Sequence, residues 1–331
     1  MHKYMVPPED TSGVDLATVS WKTEFDVLST LRDAGHDVYP LGVGDDLGVI
    51  RKVIEEWKPQ VAFNLLEGFD EVGVFDQNVV AYLELLRLPY TGCNPRGLLL
   101  SRDKALSKKL MAYHRIPVPE FTVFRRGRAI RRPSRLSFPL IVKSLTQDAS
   151  IGISQASVVE TEEKLRERVE FIHHSVGTDA IVERYIQGRE LYVGVLGNER
   201  LRVFPVWELM FSNMPEDVRR IATERVKWSP KYQKKHGIMT DEAKDLPNDM
   251  GPQIQHVAKR VYRTLELSGC ARIDFRLDES ARLYVLEANP NPQIAYGEDF
   301  AESAERDGLS YEQLLQRIIN LGMRWQPDKP G

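Results

Sequence analysis

The chain has 331 residues, of which 42% are hydrophobic and 28% are charged, as is typical of a globular protein with more than one packed subdomain. Its formal net charge of −3 argues against a nucleic-acid or anionic-membrane partner. Two cysteines cannot form a disulfide framework, and neither a signal peptide nor a membrane-length apolar stretch is visible, so we expect a cytoplasmic protein.

The first third of the chain alternates helix-like and strand-like segments. Apolar residues at helical spacing predict helices over residues 23–34, 47–57 and 77–87. Short apolar runs predict strands over residues 36–41, 61–66 and 89–91. This alternation favours an α/β domain with a mostly parallel sheet.

The rest of the chain mixes strands and helices in a different order. A second block begins with a helix capped by Ser101, and its predicted elements are residues 102–114, 138–143, 162–174 and 180–185. A third block starts near Gly188, and its predicted elements are strands at 190–196 and 201–206, a helix at 253–267, a hairpin at 271–288 and a helix at 311–321. Residues 211–249 are polar without clear periodicity, as in many functional lids.

The predicted hairpin near the end of the chain carries the most informative chemistry. Side chains alternate across a strand, so Arg272, Asp274 and Arg276 share one face. On the returning strand, Val285, Glu287 and Asn289 share a face. If the strands pair, Asp274, Glu287 and Asn289 converge, and their oxygens are ligands that Mg²⁺ takes. Arg272 beside them can hold an oxyanion or a phosphate. A surface hairpin with a salt bridge explains the alternation equally well, but the stiff Asn-Pro-Asn-Pro run that follows favours a site.

Two further segments suggest nucleotide binding, each weakly. Lys143 ends an apolar strand, where its ammonium could face phosphates, and small residues such as Ala149 and Ser150 would let backbone N–H groups approach an anion. The loop lacks the Walker A pattern, and a lysine at a strand end is usually just solvated. Residues 181–190 could offer backbone groups to adenine and Glu190 to a ribose, although an ordinary strand and turn is the simpler interpretation.

The order of these segments resembles the ATP-grasp superfamily, and within it the D-alanine–D-alanine ligase-like group. The resemblance rests on PYTGC followed by DK, on LIVKS with SIGIS, on VERYIQGRELYVGVLG, and on ARIDFRL with YVLEANPNP, and it covers about residues 23–321. It implies an α/β ATP-grasp fold with ATP between the last two of three subdomains. These would be an N-terminal parallel α/β domain (1–97), a central α+β subdomain (98–187) with a lid loop at 144–153, and a C-terminal α+β subdomain (188–331) with a mobile loop at 211–244.

The resemblance also implies an ATP-dependent carbon–nitrogen ligase that joins a small-molecule carboxylate to an amine through an acyl phosphate. Its implied cofactors are ATP and two Mg²⁺ ions, with Mn²⁺ as a substitute, and a homodimer is a family expectation. The residues implied at the nucleotide are Lys104, Lys143 and Lys227 on the phosphates, Glu183 and Ile186 beside adenine, and Glu190 on the ribose. The residues implied at the reaction are Ser150 on the β and γ phosphates, Arg272 on the acyl phosphate, and Asp274, Glu287 and Asn289 on the metal ions.

The substrate-binding segments depart from that group. Its H-G-x-x-G-E-D-G loop is replaced by residues 64–73, its E-H/R-E-x-S segment has no counterpart before Thr23, and its first lid serine is Ala149. Trp228 stands in place of a loop tyrosine, and the serine that meets the second substrate's carboxylate falls near Glu298. We therefore expect substrates other than D-alanine. The candidate pocket residues, each equally explicable as a plain surface residue, are Glu67, Glu71, Trp228, Tyr296 and Glu298.

Two other functions stay open from the sequence alone. One is a genuine D-alanine–D-alanine ligase with a divergent pocket, and the other is a nucleotide-binding module that no longer ligates. The intact set of metal-binding residue types argues against the second. A Rossmann dehydrogenase is a weaker rival, because Gly42, Gly44 and Gly48 do not have the spacing of the dinucleotide fingerprint.

Overall fold

The structure, a computed structural model, is mixed α/β, as the sequence predicted, with two antiparallel sheets. It describes residues 1–16, 18–147, 150–215, 218–247 and 249–326, and the predicted lid residue Ala149 lies outside this part of the chain. The helices are α1 (Lys22–Asp33), α2 (Gly48–Trp57), α3 (Asp76–Leu85), α4 (Pro95–Arg102), α5 (Lys104–Tyr113), α6 (Glu162–Phe171), α7 (Glu224–Trp228), α8 (Pro230–His236), α9 (Met250–Thr264), α10 (Asp299–Arg306) and α11 (Tyr311–Gly322). The strands are β1 (Phe121–Phe124), β2 (Leu140–Ser144), β3 (Val158–Val159), β4 (Ala180–Arg184), β5 (Gly188–Leu196), β6 (Arg202–Val203), β7 (Trp207–Phe211), β8 (Ile238–Glu242), β9 (Cys270–Asp278) and β10 (Leu283–Pro290).

In the first third of the chain, the three predicted helices are confirmed as α1, α2 and α3. The predicted strands are not regular strands; among the described residues there, His2–Val43 and Ala62–Tyr90 form isolated parallel bridges, and Phe69–Val72 forms an antiparallel one within a turn. The parallel direction agrees with the sequence pattern. The ladders stay short because Pro40, Pro59 and Pro89 remove backbone donors in or beside the apolar runs.

Two helices meet where the sequence predicted only one. Helix α4 contains Ser101, so the prediction that Ser101 caps the following helix was wrong. Asp103 separates the two helices, and its side chain accepts hydrogen bonds from two backbone N–H groups of α5, both at 2.9 Å. An aspartate in this position is a strong helix cap. As a result Lys104 is the first residue of α5, and Lys108 lies one turn later on the same helix face.

Two antiparallel sheets build the remainder of the described chain. The smaller sheet has the order β1-β4-β2-β3, and α6 packs on it through Leu165 and Val169. The larger sheet has the order β10-β9-β5-β7-β8, with β6 beside β5. Helix α9 covers the larger sheet through Ile254, Ala258 and Val261, and this apolar core continues into α2 and α3.

The polar stretch of residues 211–249 contains regular elements that its sequence did not predict. Thr223 and Ser229 cap α7 and α8, and β8 pairs with β7 in the larger sheet. The two helices have only five and seven residues. Helices this short leave no amphipathic period to detect. Outside this stretch, helix α10 was also not predicted from the sequence.

Candidate active site

A cavity is lined by strands from both sheets, and it holds about 610 Å³ of space when the part open to solvent is included. Strand β2 contributes from the smaller sheet, β5, β9 and β10 contribute from the larger one, and α5 and α7 add side chains. Most of the sequence-predicted site residues line it, namely Lys104, Lys143, Ser150, Glu190, Lys227, Asp274 and Glu287. The predicted residues that are placed elsewhere are Glu183, Ile186, Arg272 and Asn289.

The hairpin of β9 and β10 brings the predicted oxygen-bearing side chains to one face. Glu287 lies directly opposite Asp274, and Asn289 lies directly opposite Arg272. Directly opposite residues of an antiparallel pair project to the same side of the sheet. The convergence that strand alternation predicted for these residues is therefore present in the structure.

One residue of the same hairpin does not follow the predicted alternation of side chains. Val285 lies opposite Phe275 on the apolar face and is fully buried, so the prediction that it shares a face with Glu287 was wrong. The register shifts between Val285 and Glu287, with Leu286 as the additional residue of a β-bulge. A bulge places two residues of one strand against one of its partner, so the side-chain alternation slips by one position.

Positive side chains surround the Glu287 carboxylate. Lys104 Nζ lies 3.9 Å from Glu287 Oε2 and donates a hydrogen bond to the Gln147 carbonyl at 2.7 Å. Lys143 reaches the cavity from β2, and Lys227 reaches it from α7. Burial raises the pKa of Glu287, but these three lysines and the nearby Arg272 together lower it to about 2. The cavity thus combines an ionised carboxylate with an excess of positive charge, which suits a polyphosphate.

Arg272 and Asp274 form a buried bidentate pair. The guanidinium donates hydrogen bonds of 2.8 and 3.0 Å to the two Asp274 oxygens, and it lies 4.6 Å from the centre of the Tyr192 ring. Its remaining nitrogen lies 3.6 Å from Asp299. Burial raises the pKa of Asp274, and the Glu287 charge adds to this effect while Arg272 opposes it. Arg272 thus lies between two carboxylates, of which Asp274 lines the cavity.

The residues of this hairpin fit a magnesium site that is completed by a nucleotide. Within the described ranges, no group of three or more His, Cys, Asp or Glu residues could hold a metal by itself. Mg²⁺ is usually held by one or two carboxylates together with substrate phosphates and water. Asp274 and Glu287 supply two such carboxylates, and the neighbouring Asn289 amide has a buried nitrogen without a partner in the described structure.

The other end of the cavity contains a polar network around Glu190. Arg276 donates to Glu190 Oε2 at 2.7 Å, and the Tyr192 hydroxyl donates to Glu190 Oε1 at 3.0 Å. Arg276 also donates to the carbonyls of Gly188 and Arg220, both at 3.1 Å. Arg276 lines the cavity but was not selected from the sequence, although alternation already placed it on the face of Asp274.

The two predicted lid segments contact each other over the cavity. Ser150 Oγ donates to the Ala222 carbonyl at 2.8 Å, and the Glu224 N–H donates to the Ile153 carbonyl at 3.1 Å. Ser150 has a φ of 61°, in the left-handed region that favours glycine. Two backbone segments therefore join the central and C-terminal parts of the chain at the cavity mouth.

Glu183 lies behind the cavity wall and between two lysines. Its carboxylate oxygens are 3.3 Å from Lys108 Nζ and 3.4 Å from Lys143 Nζ, and its side chain is only 1% exposed. Burial raises the pKa of Glu183, but the two lysines lower it below its ordinary value. Ile186 is buried after the end of β4. Lys108, which is fully buried, was missed because a lysine in a helix gives no sequence signal of burial.

The predicted substrate-pocket residues do not line this cavity. Glu67 and Glu71 are exposed, Trp228 is 55% exposed and Tyr296 is 58% exposed. Glu298 is half-buried, and its carboxylate makes no hydrogen bond or ion pair within the described part of the chain. Burial raises the pKa of Glu298, and the charge of the adjacent Asp299 adds to this effect. Glu298 is also close enough to Arg272 to interact electrostatically.

Comparison with known proteins finds D-alanine–D-alanine ligases among the proteins similar to this chain. A family model described as the D-ala D-ala ligase C-terminus matches residues 110–320. A D-alanine–D-alanine ligase of Desulforudis audaxviator is 30% identical over 312 residues, which are 92% of this chain and 93% of that protein. An uncharacterized protein of Sinorhizobium fredii is 30% identical over 306 residues, which are 90% of this chain and 86% of that protein.

Solved structures share the fold. The D-alanine–D-alanine ligase of Bacillus anthracis complexed with ATP superimposes with a TM-score of 0.72 and 22% identity, and the match covers 91% of each chain. A second structure of the D-alanine–D-alanine ligase from Bacillus anthracis superimposes with a TM-score of 0.74, 21% identity and the same coverage. Among the residues that can be described, no helix is long and apolar enough to span a membrane.

Proposed function

The chain belongs to the D-alanine–D-alanine ligase family of ATP-grasp carbon–nitrogen ligases, and we propose that it forms an amide bond by way of an acyl phosphate. The observation that carries this proposal is the opposed carboxylate pair of Asp274 and Glu287 on the wall of the cavity that Lys104, Lys143 and Lys227 also line. Carboxylates that bind cations and lysines that bind phosphates are the recurring parts of phosphoryl-transfer sites.

The proposed reaction has two steps. A carboxylate is a poor electrophile because its leaving group would be oxide, so one of its oxygens first attacks the γ-phosphorus of ATP and ADP leaves. The nitrogen of the amine then attacks the carbonyl carbon, inorganic phosphate leaves, and the nitrogen loses a proton. The protein supplies positioning and compensating charge in both steps.

The residue roles are carried over from the family resemblance, and the position and charge of the seven residues that line the cavity support their part of it. We assign phosphate binding to Lys104, Lys143, Lys227 and Ser150, the acyl phosphate to Arg272, the ribose to Glu190, the adenine end to Glu183 and Ile186, and two Mg²⁺ ions to Asp274, Glu287 and Asn289. Mg²⁺, or Mn²⁺ as a substitute, would neutralise phosphate charge when bound. The contacts between residues 144–153 and 211–244 support a lid role for both segments, which would keep water from the acyl phosphate.

The proposed subdomains follow the sheets. The smaller sheet lies within residues 98–187 and the larger one within residues 188–331, which supports the boundary between them. The proposed boundary between residues 1–97 and 98–187 falls inside α4.

We also propose a cytoplasmic homodimer that acts on small molecules.

We propose that the acceptor differs from D-alanine. Glu298 lies near the sequence position of the serine that meets the second substrate's carboxylate in the family, and it is half-buried without an ion-pair partner in the described structure. A second carboxylate there would meet a like charge, whereas an ammonium would gain an opposite one. The runner-up is a genuine D-alanine–D-alanine ligase, which is favoured by the names of the 30%-identical relatives.

Phosphate release from ATP, measured over a panel of carboxylates and amines with mass detection of the product, tests this proposal. We expect an amide product with an acceptor that carries a cation in place of the D-alanine carboxylate. Glu298→Ser should lower activity with that acceptor and raise activity with D-alanine. A wild-type enzyme that makes D-alanyl-D-alanine in preference to every other product would establish the runner-up. ATP binding with no product from any pair would instead indicate a nucleotide-binding module.

A further inference from the structure

Lys108 is a fully buried lysine that the proposed chemistry does not use. Its side chain is 0% exposed, and it lies one helical turn after Lys104 on α5. A buried ammonium is costly unless it is paired and hydrogen-bonded. The partners of Lys108 therefore indicate what this side chain does.

Those partners belong to two different parts of the candidate site. The Nζ atom lies 3.3 Å from Glu183 Oε1 on β4, and it donates a hydrogen bond of 2.5 Å to the carbonyl of Leu286 on β10. Leu286 is the bulge residue that immediately precedes Glu287. The residue before the bulge is hydrogen-bonded to the segment that follows α5, because the Val285 N–H donates to the Pro117 carbonyl at 2.9 Å.

The bulge decides which way Glu287 points. Without it, regular alternation would place Glu287 on the same face as Val285, which is the apolar face packed in the main core. With it, Glu287 lies opposite Asp274 on the cavity side. A bulge needs its displaced backbone groups satisfied elsewhere, and the Lys108 ammonium satisfies the Leu286 carbonyl.

We infer that Lys108 is a positioning residue that holds the Leu286 bulge and thereby aims Glu287 at the metal site. This inference rests on the proposed function, because it concerns the Mg²⁺ assigned to Glu287. Charge compensation of Glu183 alone would not require Lys108 to contact Leu286, and Lys143 also lies 3.4 Å from Glu183. The contact with the bulge is therefore the distinguishing feature.

Lys108→Met tests the inference, with Lys109→Met as the matched control. The two lysines are adjacent in sequence, but Lys109 is exposed and carries no site role. In Lys108→Met we expect the Mg²⁺ concentration for half-maximal phosphate release to rise about tenfold, as is common when a residue that orients a metal ligand is lost. In Lys109→Met it should not change.

A binding measurement separates positioning from general damage. The increase in melting temperature that saturating ADP produces should fall in Lys108→Met far more with Mg²⁺ than without it, because Glu287 acts through the metal. If Lys108→Met does not fold, Lys108→Gln replaces it with the same expected direction. An unchanged Mg²⁺ half-saturation in the variant that folds would overturn the inference, as would equal losses with and without Mg²⁺.

Glu287→Gln, measured in parallel, separates a failure of the Lys108 positioning role from a failure of the proposed metal site. If Glu287→Gln raises the half-saturating Mg²⁺ concentration and the Lys108 variant does not, the positioning role fails and the metal assignment stands. If Glu287→Gln leaves the Mg²⁺ dependence unchanged, the proposed metal site itself is wrong.

Discussion

Replacing Arg276 with methionine should destabilise the protein strongly, because the change leaves a buried carboxylate unpaired. The Arg276 and Glu190 side chains are only 6% and 7% exposed, so water screens their 2.7 Å contact little. Removing one partner of a buried ion pair typically costs about 3–5 kcal/mol. The carbonyls of Gly188 and Arg220 also lose the donor that Arg276 provides. We therefore expect Arg276→Met to lose about 3–5 kcal/mol of unfolding free energy.

Urea unfolding followed by circular dichroism measures this loss. The double variant Glu190→Gln with Arg276→Met should be more stable than Arg276→Met alone, because no buried charge is left without a partner. Arg282→Met, at an exposed position of the hairpin turn, serves as the control and should stay close to wild type. Exposed ion pairs contribute up to about 1 kcal/mol. A loss below this value for Arg276→Met would show that the Arg276–Glu190 pair does not behave as a buried ion pair. A double variant less stable than the single one would show the same.

Two further results follow from the directions of pKa shifts. The pKa of Glu287, about 2 in the folded protein, lies below its ordinary value of 4.5, so its contribution to stability is present above pH 4.5 and is lost as the pH falls towards 2. The unfolding free energy of wild type should therefore fall more steeply over this interval than that of Glu287→Gln, and equal slopes in urea titrations would contradict this. Burial raises the pKa of Cys93 and Cys270 to about 12, so iodoacetamide should label both thiols near neutral pH only after denaturation. Mass spectrometry of native protein with either cysteine labelled would be the contrary result.

Strand alternation was enough to predict the centre of the candidate site. A period of two placed Asp274 and Arg276 on one face, and hairpin pairing brought Glu287 and Asn289 opposite that strand. Strand alternation and hairpin pairing depend on residues that are close in the chain, so they can be predicted from a single sequence. The wrong face for Val285 came from a bulge, which has no clear signal in the residues themselves and depends on contacts with α5.

Features that depend on distant contacts were not predictable in the same way. Lys108 reads as an ordinary helical lysine, and its burial becomes evident only when α5 packs between β4 and β10. The break between α4 and α5 follows from Asp103, which caps α5. Ser101 and Asp103 are both residue types that cap helices, and the sequence alone did not show which of them does so in this segment. The strands of the first third were predicted from apolar runs whose prolines limit the hydrogen bonds that can form.

The position of the bound divalent cation is the decisive test of the proposed metal site. Anomalous diffraction from a crystal of the protein with Mn²⁺ and ADP would locate the metal without reference to activity. We expect a metal peak that is bound by Asp274 and Glu287 and faces Lys143 across the nucleotide phosphates. A peak bound elsewhere on the chain, or ADP bound at this cavity with Asp274 and Glu287 free of metal, would contradict it.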